Sequence, residues 1–210
     1  NLGSVFDRSK RFADAERAWD KFVNLATKIR GATHEDTLIG LDNQANAVLQ
    51  LGRIDDAEKL YLELIRRRNA SLGENHGLTW KAVDDLLKLY KSSGDAQKGC
   101  RLLKVFLKRN PNNASWHQRY AWYVVDPGQP VEEMADEGLA HAERAMQLVS
   151  GQPSEEIHIT LAWALFASGD GSAAMAQLTQ ALEDASVDGK AEIRTHLDKM
   201  IASENRTEKE

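Results

Sequence analysis

Cysteine is the first scarcity in this 210-residue chain, which holds only Cys100. A single thiol excludes an internal disulfide and a zinc site built from thiolates. Proline is nearly as rare, at positions 111, 127, 130 and 153, so long stretches lack the residue that most often stops a helix. Long apolar runs are missing too. The most apolar stretch, 157–166, is interrupted by His158 and Thr160 and falls far short of the ~20 residues that cross a bilayer, so no membrane insertion is expected. Nor is positive charge in excess: 27 Lys and Arg face 32 Asp and Glu, a net charge of −5, which removes the electrostatic footprint of a nucleic-acid reader. The opening Asn1-Leu-Gly-Ser-Val-Phe6 carries no initiator Met, basic leader or apolar signal core. It reads as a piece of a longer protein, and a cytoplasmic setting is expected.

What remains is 42% hydrophobic and 28% charged, enough apolar material for a real core. Ala, Leu, Glu, Lys, Arg and Gln dominate, and no window alternates with period two, which predicts helix nearly everywhere. The stronger signal is self-similarity. Gly31-Ala-Thr-His34-Glu-Asp-Thr37-Leu38 returns as Gly73-Glu-Asn-His76-Gly-Leu-Thr79-Trp80, an offset of 42 residues. Ala15 maps to Ala57, Trp19 to Tyr61 and Gly52 to Gly94 at the same spacing. A period of this size marks stacked supersecondary units, each too small to bury its apolar face alone.

One period reads as a helical hairpin. An apolar helix through Leu38–Leu51 stops at Gly52, and an amphipathic helix runs from about Asp55 to Leu72, capped by Asp55 or Asp56. Ala57, Leu60, Tyr61, Leu64 and Ile65 form one buried stripe, with Glu58, Lys59, Arg66 and Arg67 opposite. Small Ala57 lets helices approach, and Tyr61 fills the gap one turn later. His34 and His76 recur in the inter-unit loop, which assigns them a structural bond common to each unit, such as one to a loop carbonyl.

The segment Leu51-Gly-Arg-Ile-Asp-Asp-Ala-Glu-Lys-Leu-Tyr61, flanked by Gly-x-x-His-x-x-Thr, resembles tetratricopeptide (TPR) repeats, in the 42-residue subtype of kinesin light chains. The resemblance implies an all-α, right-handed superhelical array of antiparallel helix hairpins with a C-terminal closing helix. The array is expected over 1–202, in units at about 1–32, 33–74, 75–113, 114–152 and 153–187, with the closing helix at 190–202 and a flexible tail at 203–210. Unit one is entered within its first helix at Asn1-Leu2-Gly3. In unit three Gly99 stands where Ala is expected, which should loosen packing. Unit four carries an insertion at Asp126-Pro-Gly-Gln-Pro130.

No catalytic group, metal site or cofactor is expected. The histidines 34, 76, 117, 141, 158 and 196 show no metal spacing, Cys100 has no adjacent base, and no Gly-rich phosphate loop precedes a Lys-bearing helix. The resemblance implies instead a concave groove lined by the first helices. By register this groove carries Asn1, Ser4 and Arg8; Asp42, Asn43, Asn46 and Gln50; Lys81, Asp85, Lys88 and Lys91; and Gln118, Arg119 and Trp122. Asn amides suit an extended peptide backbone, and the lysines suit acidic groups; the alternative for each is a solvated helix face. A clamp for a chaperone's terminal carboxylate, known in the family, is not expected, because Asp85 stands where a cation is needed. Trp122, Trp163 and Phe166 either anchor a partner side chain or fill the core beneath the closing helix. The function so read is binding of a protein or peptide ligand, without catalysis. The alternative is a structural spacer or a self-association (homodimer) domain of a larger signalling enzyme such as a bacterial serine/threonine kinase, which the repeats in units four and five resemble.

Overall fold

The computed structural model describes residues 9–149 and 153–207. Among these the chain forms ten α-helices and no strand: α1 (Phe12–Arg30), α2 (Glu35–Gln50), α3 (Ile54–Leu72), α4 (Gly77–Ser92), α5 (Ala96–Arg109), α6 (Ala114–Val125), α7 (Ala135–Leu148), α8 (Glu155–Ala167), α9 (Gly171–Asp184) and α10 (Val187–Thr207). A single 3-10 turn, Glu132–Met134, leads into α7. The all-α repeat array expected from the periodicity is what the chain adopts. The helix fragment at Asn1-Leu2-Gly3 and the groove positions Asn1, Ser4 and Arg8 lie outside the described residues. The chain divides into two compact units, Asn1–Ala96 and Gln97–Glu210.

In the first unit α1 packs on α2, α2 on α3 and α3 on α4. Ala15 and Trp19 of α1 are buried, as are their counterparts Ala57 and Tyr61 of α3, so the small-then-aromatic spacing works as the sequence implies. Two corrections concern α3. It starts at Ile54, with Arg53 at the cap position and no side-chain cap; Asp55 and Asp56 sit inside the first turn, where they favour the helix dipole. Leu60 is half-buried, and the stripe continues instead to Arg68, which is buried.

The joints between successive hairpins repeat atom for atom. Gly31 and Gly73 end α1 and α3 at φ 99° and 90° with ψ near 160°, a region that side-chain-bearing residues avoid. Nδ1 of His34 then accepts the Asp36 amide hydrogen, and Nδ1 of His76 accepts that of Leu78, each at 3.2 Å. The fully buried Thr37 and Thr79 hydroxyls donate to the Gly31 and Gly73 carbonyls, each at 2.9 Å. The histidines are therefore helix N-caps: they accept from the helix amides rather than bond a loop carbonyl. Within the hairpins the turns after α2, α4 and α8 share another pattern. The amides of Arg53, Asp95 and Asp170 reach back to Val48, Tyr90 and Leu165, the 6→1 bond of a Schellman cap.

In the second unit α7 packs on α6 and α8, α8 also on α6, and α10 on α8 and α9. Phe106 of α5 and Trp116 of α6 stack at 4.3 Å and 11°. Gly99 does not loosen this region. A methyl group there would overlap the Tyr123 phenol, whose ring occupies the space an Ala would fill. After α6 the inserted turn is closed by Gly128 N–H to Asp126 Oδ1 at 3.0 Å and by Val131 N–H to the Val124 carbonyl at 2.8 Å, with Val131 buried. The C-terminal helix begins earlier than position 190 and continues past 202. Residues 203–207, expected to be tail, thus extend α10, and 208–210 lie outside the described residues.

Replacing His76 with Ala removes a cap and should cost about 1 kcal/mol, whereas His76→Asn, another strong cap, should stay near wild type; denaturant titration of both variants decides the cap assignment. Gly99→Ala should destabilise by about 1–3 kcal/mol through overpacking. The loss should shrink when Tyr123→Leu removes the outer ring atoms and hydroxyl that crowd the position, and equal losses in both backgrounds would contradict the contact.

Candidate functional site

The predicted groove residues of the first unit lie on α2 and α4, and a charged network joins these helices to α3. Its centre is Asp42, whose side chain is 14% exposed. Arg68 of α3, with a side chain 4% exposed, places Nη2 on Asp42 Oδ2 at 2.9 Å and donates from Nη1 to the Leu78 carbonyl at 3.0 Å. An unpaired guanidinium could not be buried here; the carboxylate and the helix carbonyl make it tolerable. Lys81 of α4 lies 3.5 Å from the same Asp42 oxygen and 2.6 Å from Asp85. Burial lowers the Lys81 pKa, but the bond to Asp85 and the charges of Asp42 and Asp85 outweigh it and hold the ammonium above its ordinary value.

Asn46 is drawn into the same network. Its amide donates to the Asp42 carbonyl at 2.9 Å and to Asp42 Oδ1 at 3.2 Å, while its carbonyl oxygen accepts the Tyr61 hydroxyl at 3.0 Å. Burial pushes the Tyr61 phenol up, and the charges of Asp85 and Asp42 add to the shift, so the hydroxyl stays a donor. Asn46 is exposed yet engaged at both ends of its amide. Asn43, half-buried, and Gln50, exposed, have amides without a partner among the described residues. Lys88 reaches no closer than 3.9 Å to Asp85, with a side chain 80% exposed. Three cations thus face two carboxylates, and the surplus positive charge sits outermost, on Lys88. Lys91 is half-buried.

Arg119 and Trp122, the remaining predicted residues, belong to α6 of the second unit. The Arg119 guanidinium lies 5.9 Å from the Trp116 ring centroid, and Trp122 is half-buried with its ring edge-on to His196 at 6.1 Å. Trp163 is buried, its indole N–H donating to His196 Nδ1 at 2.9 Å. Gln118 bonds Thr160 at 3.0 Å.

The second unit also assembles groups that sequence spacing did not pair. His117 of α6 and His141 of α7 face each other with their Nδ1 atoms 2.8 Å apart, and His117 Nε2 donates to the Pro111 carbonyl at 3.0 Å. With its proton on Nε2, His117 must accept at Nδ1, so His141 donates from Nδ1. Glu137 lies 4.0 Å from His141 Nε2 and 2.7 Å from Lys104. Burial raises the Glu137 carboxyl, but the Lys104 bond prevails and holds it below its usual range. The visible sequence signal was the i, i+4 pair Glu137 and His141; the His117 contact depends on the α6–α7 packing. Cys100 is buried, and burial pushes its thiol up. Among the described residues no three His, Cys, Asp or Glu converge as a metal site, and no helix is long and apolar enough to cross a membrane.

Burial, with the neighbouring His117, lowers the His141 pKa to about 4. An unfolded chain takes up this proton near pH 6.5, so the neutral pair's contribution to stability is complete above that value and is lost as pH falls toward about 4. Melting temperature should therefore drop between about pH 6.5 and 5. His141→Gln, which keeps an N–H donor for His117, should flatten the slope; an unchanged slope would mean that other groups set it.

Residues 1–70 match the tetratricopeptide repeat family. None of the curated proteins matches the chain at a significant level. Among solved structures, the chain is similar to the nearly identical TPR-like repeats of a kinesin light chain candidate from Podosopora anserina, with 18% identity, a TM-score of 0.54 and coverage of 86% of this chain and 90% of that one. It is also similar to BtubC (BKLC) from P. vanneervenii, at 18% identity and a TM-score of 0.54, covering 94% of this chain and 78% of that one. A thermophilic TPR protein of Thermus thermophilus gives 22% identity and a TM-score of 0.51, covering 93% and 95%. The match to tetratricopeptide repeats covers residues 1–70, and the likeness to these structures is one of fold, that of an all-α helical repeat array.

Proposed function

We propose that the chain captures an extended, acidic segment of a partner protein on the α2 and α4 face of its first unit, and that it performs no chemistry of its own. The observation that carries this reading is the distribution of free groups on that face. Among the described residues the amides of Asn43 and Gln50 have no partner, which suits them to a peptide backbone, while Lys88 carries its charge outermost, 80% exposed. Asp42, Asn46, Lys81 and Asp85 have another part: they keep one another fixed, so the helices present a rigid surface and little ordering entropy is lost on binding. Arg119 and Trp122 are not needed for this site. Of the polar groups best suited to catalysis, Cys100 and His117 are buried and His141 is half-buried, with its Nδ1 engaged by His117.

A second reading, pairing with another copy of the chain, draws on Leu25 and Ile29 of α1, which are 58% and 71% exposed. It predicts a mass that rises with concentration, whereas the peptide reading leaves the mass constant.

The test is a peptide array of extended acidic segments probed with the intact protein. Lys88→Glu should weaken capture at least tenfold, about the worth of one charge-assisted bond, with melting temperature unchanged because Lys88 is solvated. Asn43→Ala should weaken capture of all sequences alike. Capture that ignores both changes would move the site elsewhere.

A further inference from the structure

The second helices of the hairpins carry surface charge in two different ways. In the first unit the charges neutralise one another along each helix: Asp14 of α1 pairs with Arg11 and Arg17, and on α3 Asp56 pairs with Arg53 and Lys59, and Glu63 with Arg66. The second unit separates the signs. α5 holds no carboxylate, and its exposed side presents Arg101 and Lys108, with Val105, 48% exposed, between them. α7 presents exposed Asp136 and Glu143, with exposed Ala140 between them. None of these four charged residues has an opposite charge three or four positions away in the sequence, and none is paired among the described residues.

α5 and α7 lie side by side and run the same way. Gln97 of α5 bonds Glu133, just ahead of α7, at 3.2 Å; Lys104 meets Glu137 at 2.7 Å; and Asn112, just past α5, accepts from Arg144 at 2.9 Å. The contacts advance together along both chains and occupy the facing edges of the two helices, while Arg101, Lys108, Asp136 and Glu143 stay exposed. Arg101 and Lys108, like Asp136 and Glu143, are seven residues apart, about 10.5 Å along a helix. A cationic strip and an acidic strip of equal pitch are therefore neighbours.

We propose that a second copy of the chain seats on this face. A half-turn about an axis between α5 and α7, and parallel to them, lays α5 of each copy along α7 of the other. Arg101 then meets Asp136 of the other copy, Lys108 meets its Glu143, and Val105 closes on its Ala140. The axis repeats these contacts, so the pair is closed and neither strip is left open. Charge selects this occupant: an acidic segment would suit α5 but be repelled by α7 beside it, and an anionic membrane or a nucleic acid meets the same repulsion. Two 14-residue helices make a small face, and its exposed ion pairs are screened by salt, so the pair is weak and salt-sensitive. It draws on no residue of the α2 and α4 face and none of α1.

Sedimentation equilibrium of the intact chain is the test. At about 50 mM salt the mass should rise from one chain to two, with a midpoint between about 10 µM and 1 mM, and at about 500 mM salt the midpoint should move at least tenfold higher. Mass therefore separates the peptide reading from pairing through α1 only at the higher salt. Arg101→Glu with Lys108→Glu, or Asp136→Lys with Glu143→Lys, should each abolish pairing, with melting temperature retained because all four side chains are solvated. Mixing the two variants should restore it, since each offers the sign the other lacks. All four reversals in one chain should restore it too, at the net charge of the original. A chain that stays single up to about 1 mM at low salt overturns the pairing, as does failure of the mixture or of the fourfold variant to pair. Growth past two copies overturns the closed geometry. A rise in mass that persists at high salt and ignores all four changes overturns this face and assigns association to Leu25 and Ile29 of α1.

Discussion

Two helices joined by only four residues leave the first amide hydrogens of the second and the last carbonyls of the first without partners, at a point where the chain must also reverse direction. The Gly-x-x-His-x-x-Thr joint resolves both demands. Glycine takes the backbone turn, the imidazole accepts at the new helix, and threonine returns a hydrogen bond to the glycine carbonyl. Everything that stacks in the first unit depends on this fixed entry angle. Ala15 and Ala57 can sit at close helix contacts, with Trp19 and Tyr61 in the adjacent gaps, only if each hairpin arrives in the same orientation as the one before.

The same stacking explains why a guanidinium can be buried at Arg68. Three helices converge there, and each contributes one part: the cation from α3, the carboxylate of Asp42 from α2 and the Leu78 carbonyl from α4. Such an arrangement adds little net stability over an apolar packing, but its bonds hold in only one geometry. The face built by α2 and α4 is thereby specified from behind, and its outermost charge, on Lys88, is presented rather than placed by chance.

The period, the hairpin, and the burial of Ala57 and Tyr61 were legible in the sequence because they arise from neighbours within a helix or from an offset of 42 residues. What was not legible arises between helices. Gly99 reads as slack until Tyr123, from the following helix, is seen to occupy the space. Arg68 drew no expectation from the sequence, because the hydrophobic stripe beside it gives no hint of the carboxylate that waits on α2. Asn46 was legible as a groove position by register, yet its amide is engaged by Asp42 and Tyr61. The pairing of His117 with His141 required knowledge of how α7 returns after the inserted turn at Asp126–Val131, whose length breaks the period. His34 and His76 were recognised as structural, and only their chemistry, as acceptors toward helix amides, came from the structure.

The joint has one further property. The bonds made by its histidine and threonine side chains close within seven consecutive residues, from Gly31 to Thr37 and again from Gly73 to Thr79. A stretch of gene encoding one period therefore carries its connector along with its packing face. Copied in tandem, it would need no compensating substitution at the seam, so a lineage of such chains can change length in whole repeats, and divergence within a repeat can proceed while the seams stay constant.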